Sequence, residues 1–361
     1  MVKRQILAVS LVVALAATAC GGDSGGSDGT GAEGERYSLK MGMVSSASTE
    51  FFGWRVGEQL GYYDDLGLDV EFVNTDGSGD GVEQLIAGNL DVANPSASAA
   101  AEAALSGLDV TAYFTYSTGA IFGIFAPESS GITDIAGLKG KKIGITEAGG
   151  GEVAFLNAAL QEAGVDPVTE VTVIPIGAGD ATTLQAIEDK RVDAYAAGYN
   201  DVFALKVTGE VDLVDLTPTD QADYPGRWML TRPEVIEDKE EALKRFARGT
   251  AMGMHFCVSD WEACEKILRD WIPEVWEENS AGLSQGAQRF ELAQTGVTPD
   301  DPDRYGAFDV ENVQAFFDTI ESATEDAQDV DLEEFIDDSM LDYANDFDRA
   351  KVEADAAGYE G

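Results

Sequence analysis

From residue 37 onward the apolar positions fall into a repeating rhythm of short runs and helical stripes. Leu39–Val44, Leu68–Val73, Leu90–Ala93 and Val110–Phe114 are brief apolar or alternating runs that read as strands. Between them, Phe52–Gly61, Gly81–Gly88 and Ala97–Ser106 carry apolar residues at helical spacing. Val82, Leu85 and Ile86 line one face of the second, and Gly61 marks the end of the first. After an extended stretch, Ile121–Ala126, that ends at Pro127, the rhythm starts again. Lys141–Thr146, Val171–Ile176 and Val192–Ala196 read as strands, and Gly151–Glu162 and Ala181–Glu188 as helices. From about Glu234 the pattern turns helical, through Lys239–Gly253, Trp261–Ile272 and Val310–Glu325, a tail expected to pack on the first unit. Alternating strands and helices predict an α/β fold with mostly parallel sheets. Two such units in succession predict two lobes with a cleft between them. Repeats of fixed short period are absent, which argues against a solenoid.

The chain start follows another pattern. Lys3 and Arg4 precede an almost wholly apolar run, Ile6–Ala17, and the small residues Ala17, Thr18 and Ala19 lead into Cys20. This is the layout of a secretory signal peptide. The run is shorter than the roughly 20 residues needed to span a bilayer. The segment resembles a bacterial lipobox, which implies that the cysteine receives lipid and becomes the new N-terminus; Ala17 stands where that pattern prefers Leu or Val. The competing reading is an ordinary secreted protein with a spare cysteine. Gly21–Gly34, GGDSGGSDGTGAEG, holds too little apolar surface to fold and reads as a flexible tether, which favours the anchored form.

Hydrophobic residues make up 44% of the chain, ample for a core, and no later apolar stretch is long enough for a membrane helix. The net charge of −44 excludes a nucleic-acid binder, which needs a basic face, and argues against attraction to anionic lipid. The acid is spread over many segments, such as Glu237–Glu241 and Asp326–Asp338. It reads as a solubilising surface suited to high salt rather than as capture of a cationic ligand, because a ligand site uses a few charges and not dozens. Of three cysteines, lipid on Cys20 leaves Cys257 and Cys264 as an even pair in an oxidising compartment. Ser259 and Glu262 have capping-box spacing, so a helix is expected to start between the two cysteines. A disulfide stapling that start and two free buried thiols are the alternatives.

Enzyme signatures are sparse. There is one histidine, His255, within a predicted helix, and neither remaining cysteine lies in a nucleophile setting. Histidine-based zinc sites need more ligands, and no G-x-x-x-x-G-K-[ST] loop occurs. Asp76–Gly81 looks like the start of an EF-hand loop, but its twelfth position is Ala87 where a Glu is required. Two glycine-rich segments stand out: TDGSGDG (Thr75–Gly81) after the second strand, and GITEAGGGE (Gly144–Glu152) at the matching place in the second unit. Loops at strand carboxyl ends, with free backbone N–H groups, are where ligands sit in open α/β sheets.

Val82–Ala103, VEQLIAGNLDVANPSASAAAEA, is similar to the helix–strand–loop of the solute-binding proteins of ABC importers. Gly137–Thr146 resembles their opening of the second lobe, Thr182–Gly198 their repeat of the helix–strand theme, and Asp331–Ala344 their closing helix. The resemblance spans nearly all of the chain after the leader. It points to the alkanesulfonate, taurine and thiamine-pyrimidine binding branch, SsuA- and ThiY-like. It implies a type II periplasmic-binding-protein fold, α/β with two Rossmann-like lobes, a hinge and a central ligand cleft. The corresponding segments are a signal peptide 1–19, a lipid-anchored linker 20–36, a first lobe 37–126, a second lobe 127–227, and a return to the first lobe with C-terminal helices 228–361. Hinges are expected near Pro127 and Pro225–Trp228.

What the resemblance implies for function is capture of a small ligand, with no catalysis and no cofactor or metal. The partners are that ligand, a permease with its ATPase subunits, and the membrane through Cys20, the binder itself being a monomer on the extracytoplasmic face. Carried onto this chain, the ligand loops are Ser45, Ser46, Phe51, Phe52 and Trp54 around the first helix start; Asp80; Asn94 and Ser96; and Tyr116 and Thr118. The second lobe offers Glu147, Gly150 and Glu152, then Tyr199, Asn200 and Asp201, with Trp228 also facing the cleft. For each aromatic residue, core packing is the competing role. Stacking rings with a few carboxylates suit a flat neutral or cationic heterocycle, such as a thiamine-pyrimidine precursor. Sulfonate, taurine or nitrate would need anion donors, of which Arg55 and Arg227 are the nearest. An enzyme of the pyrimidine-synthase-like branch on the same fold is the remaining alternative.

Overall fold

The computed structural model describes residues 36–44, 49–208, 211–218, 221, 224–273, 304–324 and 326–361. The leader, Cys20, the tether, Ser45 and Ser46 lie outside the described residues. The first part of the chain runs β1 (Tyr37–Met43), α1 (Phe52–Gln59), α2 (Tyr62–Asp65), β2 (Leu68–Asn74), α3 (Gly77–Ile86), β3 (Val92–Ala93), α4 (Ala97–Leu105) and β4 (Thr111–Ser117). The second unit comprises β5 (Phe122–Pro127), β6 (Lys142–Ile145), α5 (Glu152–Glu162), β7 (Thr172–Pro175), α6 (Ala181–Glu188), β8 (Ala194–Gly198), α7 (Tyr199–Thr208) and β9 (Leu213–Asp215). The chain then returns through β10 (Arg227–Thr231), α8 (Pro233–Ser259), α9 (Trp261–Trp271), α10 (Val310–Glu321), α11 (Leu332–Phe335), α12 (Leu341–Asn345) and α13 (Arg349–Ala357).

Two five-stranded sheets result, ordered β2-β1-β3-β10-β4 and β7-β6-β8-β5-β9. Each has the same plan. Three strands joined by helical crossovers run parallel, β2-β1-β3 and β7-β6-β8. The fourth place is taken by the strand that has just crossed from the other lobe, β10 or β5, which pairs antiparallel on both sides. The sheets are therefore mixed rather than mostly parallel. The reason lies in the crossings: a strand entering from the opposite lobe arrives from the reverse direction and needs no helix to get there. A further match holds each lobe in register. The N–H of Lys40 donates to the Asp91 carboxylate at 2.9 Å, and the N–H of Lys142 donates to Asp193 at 2.9 Å.

Many of the acidic residues have local work. The side chains of Asp180, Asp260, Asp309, Asp331 and Asp348 each accept a backbone N–H at a helix start, offsetting donors that have no partner inside the helix. At α9 this corrects the expected capping box: Asp260 is the cap, while Ser259 ends α8 with its hydroxyl on the His255 carbonyl. Cys257 at the end of α8 and Cys264 in α9 are disulfide-bonded across that corner, their Cα atoms 5.0 Å apart. The glycine-rich TDGSGDG segment is also more regular than expected, because α3 already begins at Gly77. Asp331–Ala344 is not one closing helix but two short ones, α11 and α12, separated by residues 336–340, of which Ile336 bridges to Ala112 of β4.

Among the described residues the chain crosses between lobes twice, at residues 118–121 between β4 and β5 and again between β9 and β10. The first crossing lies upstream of Pro127, which is already the last residue of β5 in the second sheet. The second ends at Arg227, the first residue of β10, so Trp228 lies within the first lobe's sheet. The core of the first lobe is largest. Phe52, Trp54, Tyr63, Phe246 and Met254 pack where α8 lies on α1 and β1, and the C-terminal helices α12 and α13 cover α8. The helices α1 and α8 approach through Gly53, Gly57, Gly249 and Gly253; a Cβ on Gly253 would collide with the Gly53 carbonyl. Gly253→Ala is accordingly expected to cost about 3 kcal/mol despite alanine's better helix propensity, measured by urea unfolding.

Candidate functional site

The two lobes meet along the segments that the sequence marks as glycine-rich. The N–H of Gly79, in the first turn of α3, donates to the Gly149 carbonyl at 3.1 Å. The hydroxyl of Ser98, in α4, donates to the Gly151 carbonyl at 2.8 Å. A Cβ on Gly151 would press into Ser96, and one on Gly77 into Glu147. These loops thus serve backbone-to-backbone approach of the lobes, and the Gly79 N–H is not free for a ligand. Gly150 has a different duty. A Cβ there would overlap the Glu152 carboxylate, so its absence leaves room for that side chain.

Beside this contact a set of charged side chains converges from both lobes. Glu50 stands in the 3-10 turn before α1, with its carbonyl accepting the Tyr116 hydroxyl at 2.9 Å. Its carboxylate takes the Arg227 guanidinium, Nε at 3.0 Å and Nη2 at 2.9 Å, and Nδ2 of Asn200 from the opposite lobe at 3.2 Å. Arg227 is nearly fully buried; its Nη1 donates to the Asn94 carbonyl at 3.3 Å and its guanidinium lies 5.6 Å from the centre of the Phe51 ring. Asn94, which follows β3, anchors its Nδ2 on the Trp228 carbonyl at 3.1 Å. Its Oδ1 is buried and has no hydrogen-bond partner among the described residues.

The second lobe faces this with Glu152 and Asp201. Glu152 is only 2% exposed, and its Oε1 accepts the Thr146 N–H at 2.8 Å and the Thr146 hydroxyl. Asp201, in the first turn of α7, accepts the Gly198 N–H at 3.2 Å. Loss of water around Asp201, then repulsion from Glu50 and Glu152, raise its pKa to about 7 against the pull of Gly198 and Arg227. Glu147 is also raised, by burial and by Glu152 and Asp76.

Several expected ligand contacts lie elsewhere. Trp54 and Phe52 are buried in the first lobe's core, Trp54 packed between Tyr116, Phe51 and Phe246 and Phe52 edge-on to Trp261. Trp228 is likewise a core residue, surrounded by Phe308, Phe316, Phe317 and Phe335. Its place in a central strand decides this, since alternate residues of β10 face opposite ways and Arg227 takes the cleft side. Phe51 is buried but lies under Arg227. Asp80 spends its oxygens within α3, on the Asp76 N–H and Gln84. Ser96 caps α4 and Tyr199 bonds Asp215. Tyr116 acts by holding Glu50, and Thr118 lies in the first crossing. Of the residues carried over, Asn94, Glu152, Asn200 and Asp201 are brought together. Glu50 and Thr146 were not anticipated. Glu50 has no local motif, and only its place just ahead of the first helix, in the loop that follows β1, signals it. Arg227, considered as an anion donor, is instead paired with Glu50.

This two-lobed plan is that of a type II periplasmic-binding protein. The chain belongs to the NMT1/THI5-like family, whose model matches residues 48–263. Among solved structures it is similar to a protein from Bordetella bronchiseptica RB50, with a TM-score of 0.71 and 18% identity over 85% of this chain and 96% of that one. The alkanesulfonate-binding protein SsuA from Xanthomonas axonopodis pv. citri, bound to MOPS, matches with a TM-score of 0.60 and 15% identity over 80% of this chain and 95% of that one. The periplasmic nitrate-binding protein NrtA from Synechocystis PCC 6803 matches with a TM-score of 0.62 and 14% identity over 91% and 99%. No curated protein matches the chain in sequence.

The raised pKa of Asp201 sets a direction for stability. Between its unfolded value near 3.8 and its folded value of about 7, the native state holds a proton that the unfolded chain has released. Stability contributed at this position therefore falls as pH rises through that window and levels off above it. Asp201→Asn is expected to stabilise the protein at pH 8 by on the order of 2–4 kcal/mol, with the gain vanishing toward pH 4. Thermal unfolding across that range checks the sign.

Proposed function

We propose that the protein is the extracytoplasmic solute-binding subunit of an ABC importer, held at the membrane by lipid on Cys20. It closes around a small neutral or cationic ligand and presents it to a permease. The observation that carries this reading is the meeting of Glu50 and Arg227 from one lobe with Asn200, Asp201 and Glu152 from the other. Two lobes linked along the chain, among the described residues, by the crossings that follow β4 and β9 are suited to hinge closure, and polar side chains presented from both sides give a ligand differential contacts in the closed form. The family and the SsuA and NrtA folds support a binding role rather than a structural one. Among the described residues no helix is long and apolar enough to cross a membrane, which fits attachment through the leader cysteine.

An anion of the sulfonate or nitrate kind is the second reading, favoured by those two neighbours and by Arg227. Against it, the guanidinium already holds Glu50, and three carboxylates surround its end of the cleft. For catalysis by the single histidine the placement is poor. His255 lies on α8 against Tyr305, Phe347 and Glu353, in the core region behind α1 rather than beside Glu50.

Gly151 offers a test of closure. Gly151→Val places a side chain against Ser96 and Ser78 of the other lobe, at a site where neither lobe's own core is touched. The variant is expected to fold with an unchanged circular dichroism spectrum yet to show a larger radius of gyration by solution scattering and no ligand-induced rise in melting temperature. A compact variant with full binding refutes the hinge role. Separately, a radiolabelled fatty acid supplied to the producing cell is expected to label the protein and not its Cys20→Ala variant; an unlabelled parent chain removes the anchor.

A further inference from the structure

We infer that the ligand is a small organic cation whose positively charged nitrogen carries N–H donors, held by Asn94, Glu152 and Asp201 beside the Glu50–Arg227 pair. The inference rests on the solute-binding reading and names the ligand's chemistry. It starts from a count of charge. Glu50 bonds Asn200, the chain neighbour of Asp201; Glu50 and Glu152 both act on Asp201, and Arg227 is the cation that acts on it. That guanidinium is committed on every nitrogen: Nε and Nη2 to Glu50, Nη1 to the Asn94 carbonyl. Glu152 and Asp201 have no ion-pair partner among the described residues. A carboxylate as enclosed as Glu152 is normally paired or neutralised.

The hydrogen-bonding inventory points the same way. Oε1 of Glu152 is occupied by Thr146, while Oε2 accepts nothing among the described residues; Asp201 uses one oxygen on Gly198 and leaves the other open there. Asn94 supplies an independent observation. It is 1% exposed, its Nδ2 is fixed on Trp228, and its Oδ1 is a buried acceptor with no donor among the described residues. Because Nδ2 must remain a donor to a carbonyl, a flip of the amide does not relieve this. Its carbonyl shares the Arg227 guanidinium with Glu50, which fixes Asn94 at the edge of the same cluster. Above pH 7, where Asp201 has released its proton, the vacant positions are thus all acceptors, and the charge they lack is positive. A primary ammonium with three donors, or an amidine-like head with a planar set, meets both needs. A quaternary ammonium does not, since it brings no N–H, and the rings that would cage it, Trp54 and Trp228, are in the cores.

The test is calorimetric titration and thermal shift of the intact protein with ethylammonium, 1,4-diaminobutane, acetamidine and a 4-aminopyrimidine, against tetramethylammonium, ethanesulfonate and nitrate. At least one N–H cation is expected to bind in the millimolar range or tighter, and the last three probes are not. Glu152→Gln is expected to weaken that cation on the order of thirtyfold or more, with the melting temperature of the free protein preserved or raised. Asn94→Leu provides a second variant, expected to lose binding without a change in net charge. Binding of ethanesulfonate or nitrate with no cation bound overturns the inference and leaves the solute-binding role intact. The inference is overturned equally if Glu152→Gln binds the cation as well as the parent does, or if tetramethylammonium matches ethylammonium. If none of the probes binds and the protein retains no small molecule from an extract of its host, the solute-binding reading fails with it.

Discussion

Everything at the cleft depends on how closely two backbones can approach. The lobes touch through Gly77 and Gly79 on one side and Gly149 and Gly151 on the other, with a main-chain hydrogen bond between them. Side chains at these places would hold the lobes apart by roughly the width of a methyl group or more. Glu50 could then not reach Asn200, nor would Asp201 feel its charge. The glycines are thus the spacing element that lets groups far apart in sequence act as one electrostatic unit. Their cost is a more flexible unfolded chain, which each glycine makes harder to order.

Within that unit the placement of charge is unequal. Glu50 is satisfied by Arg227 and Asn200, whereas Glu152 and Asp201 are held by backbone and hydroxyl donors alone among the described residues. The acidity of the whole chain does not explain this. Exposed aspartates elsewhere are spent on helix caps, as at Asp180, Asp309 and Asp348, where they sit in water and meet a partial positive charge. Glu152 and Asp201 also stand in the first turns of helices and accept backbone N–H groups, but Glu152 does so out of contact with water, and neither has an ion-pair partner among the described residues.

Much of the fold was legible because it rests on short-range patterns. The strand and helix runs from Leu39 to Ala196 fall within a few residues of their observed bounds, except α3, which starts earlier because glycine-rich sequence can also open a helix when Asp80 bonds back to the Asp76 N–H. Asp91 and Asp193, which lie in the two segments that repeat the helix–strand theme, do matching work in the two sheets. The mixed character of the sheets was not legible, since no local signal tells a strand which lobe its neighbour came from. The site was half legible. Asn94, Glu152, Asn200 and Asp201 follow strand ends, and the structure brings these four together beside Glu50 and Arg227. Phe52, Trp54 and Trp228 pack in the core instead, because a ring near a strand end looks alike in sequence whether it turns to the cleft or to the core. Glu50 escaped because nothing local marks it; its importance comes from Arg227, distant in the chain.

The position of β10 bears on how the molecule is made. It lies between β3 and β4 in the first sheet, yet among the described residues it is the last strand in chain order. The second sheet, by contrast, is built from consecutive segments, β5 through β9. As the polypeptide emerges N-terminus first, the second lobe can complete its sheet while the first still has a gap between β3 and β4. The facing edges of β3 and β4 stay open until Arg227–Thr231 arrive, bringing with them the guanidinium that neutralises Glu50. Assembly order is therefore inverted with respect to sequence order, and the interval between the two events is one in which a holding chaperone has something specific to cover.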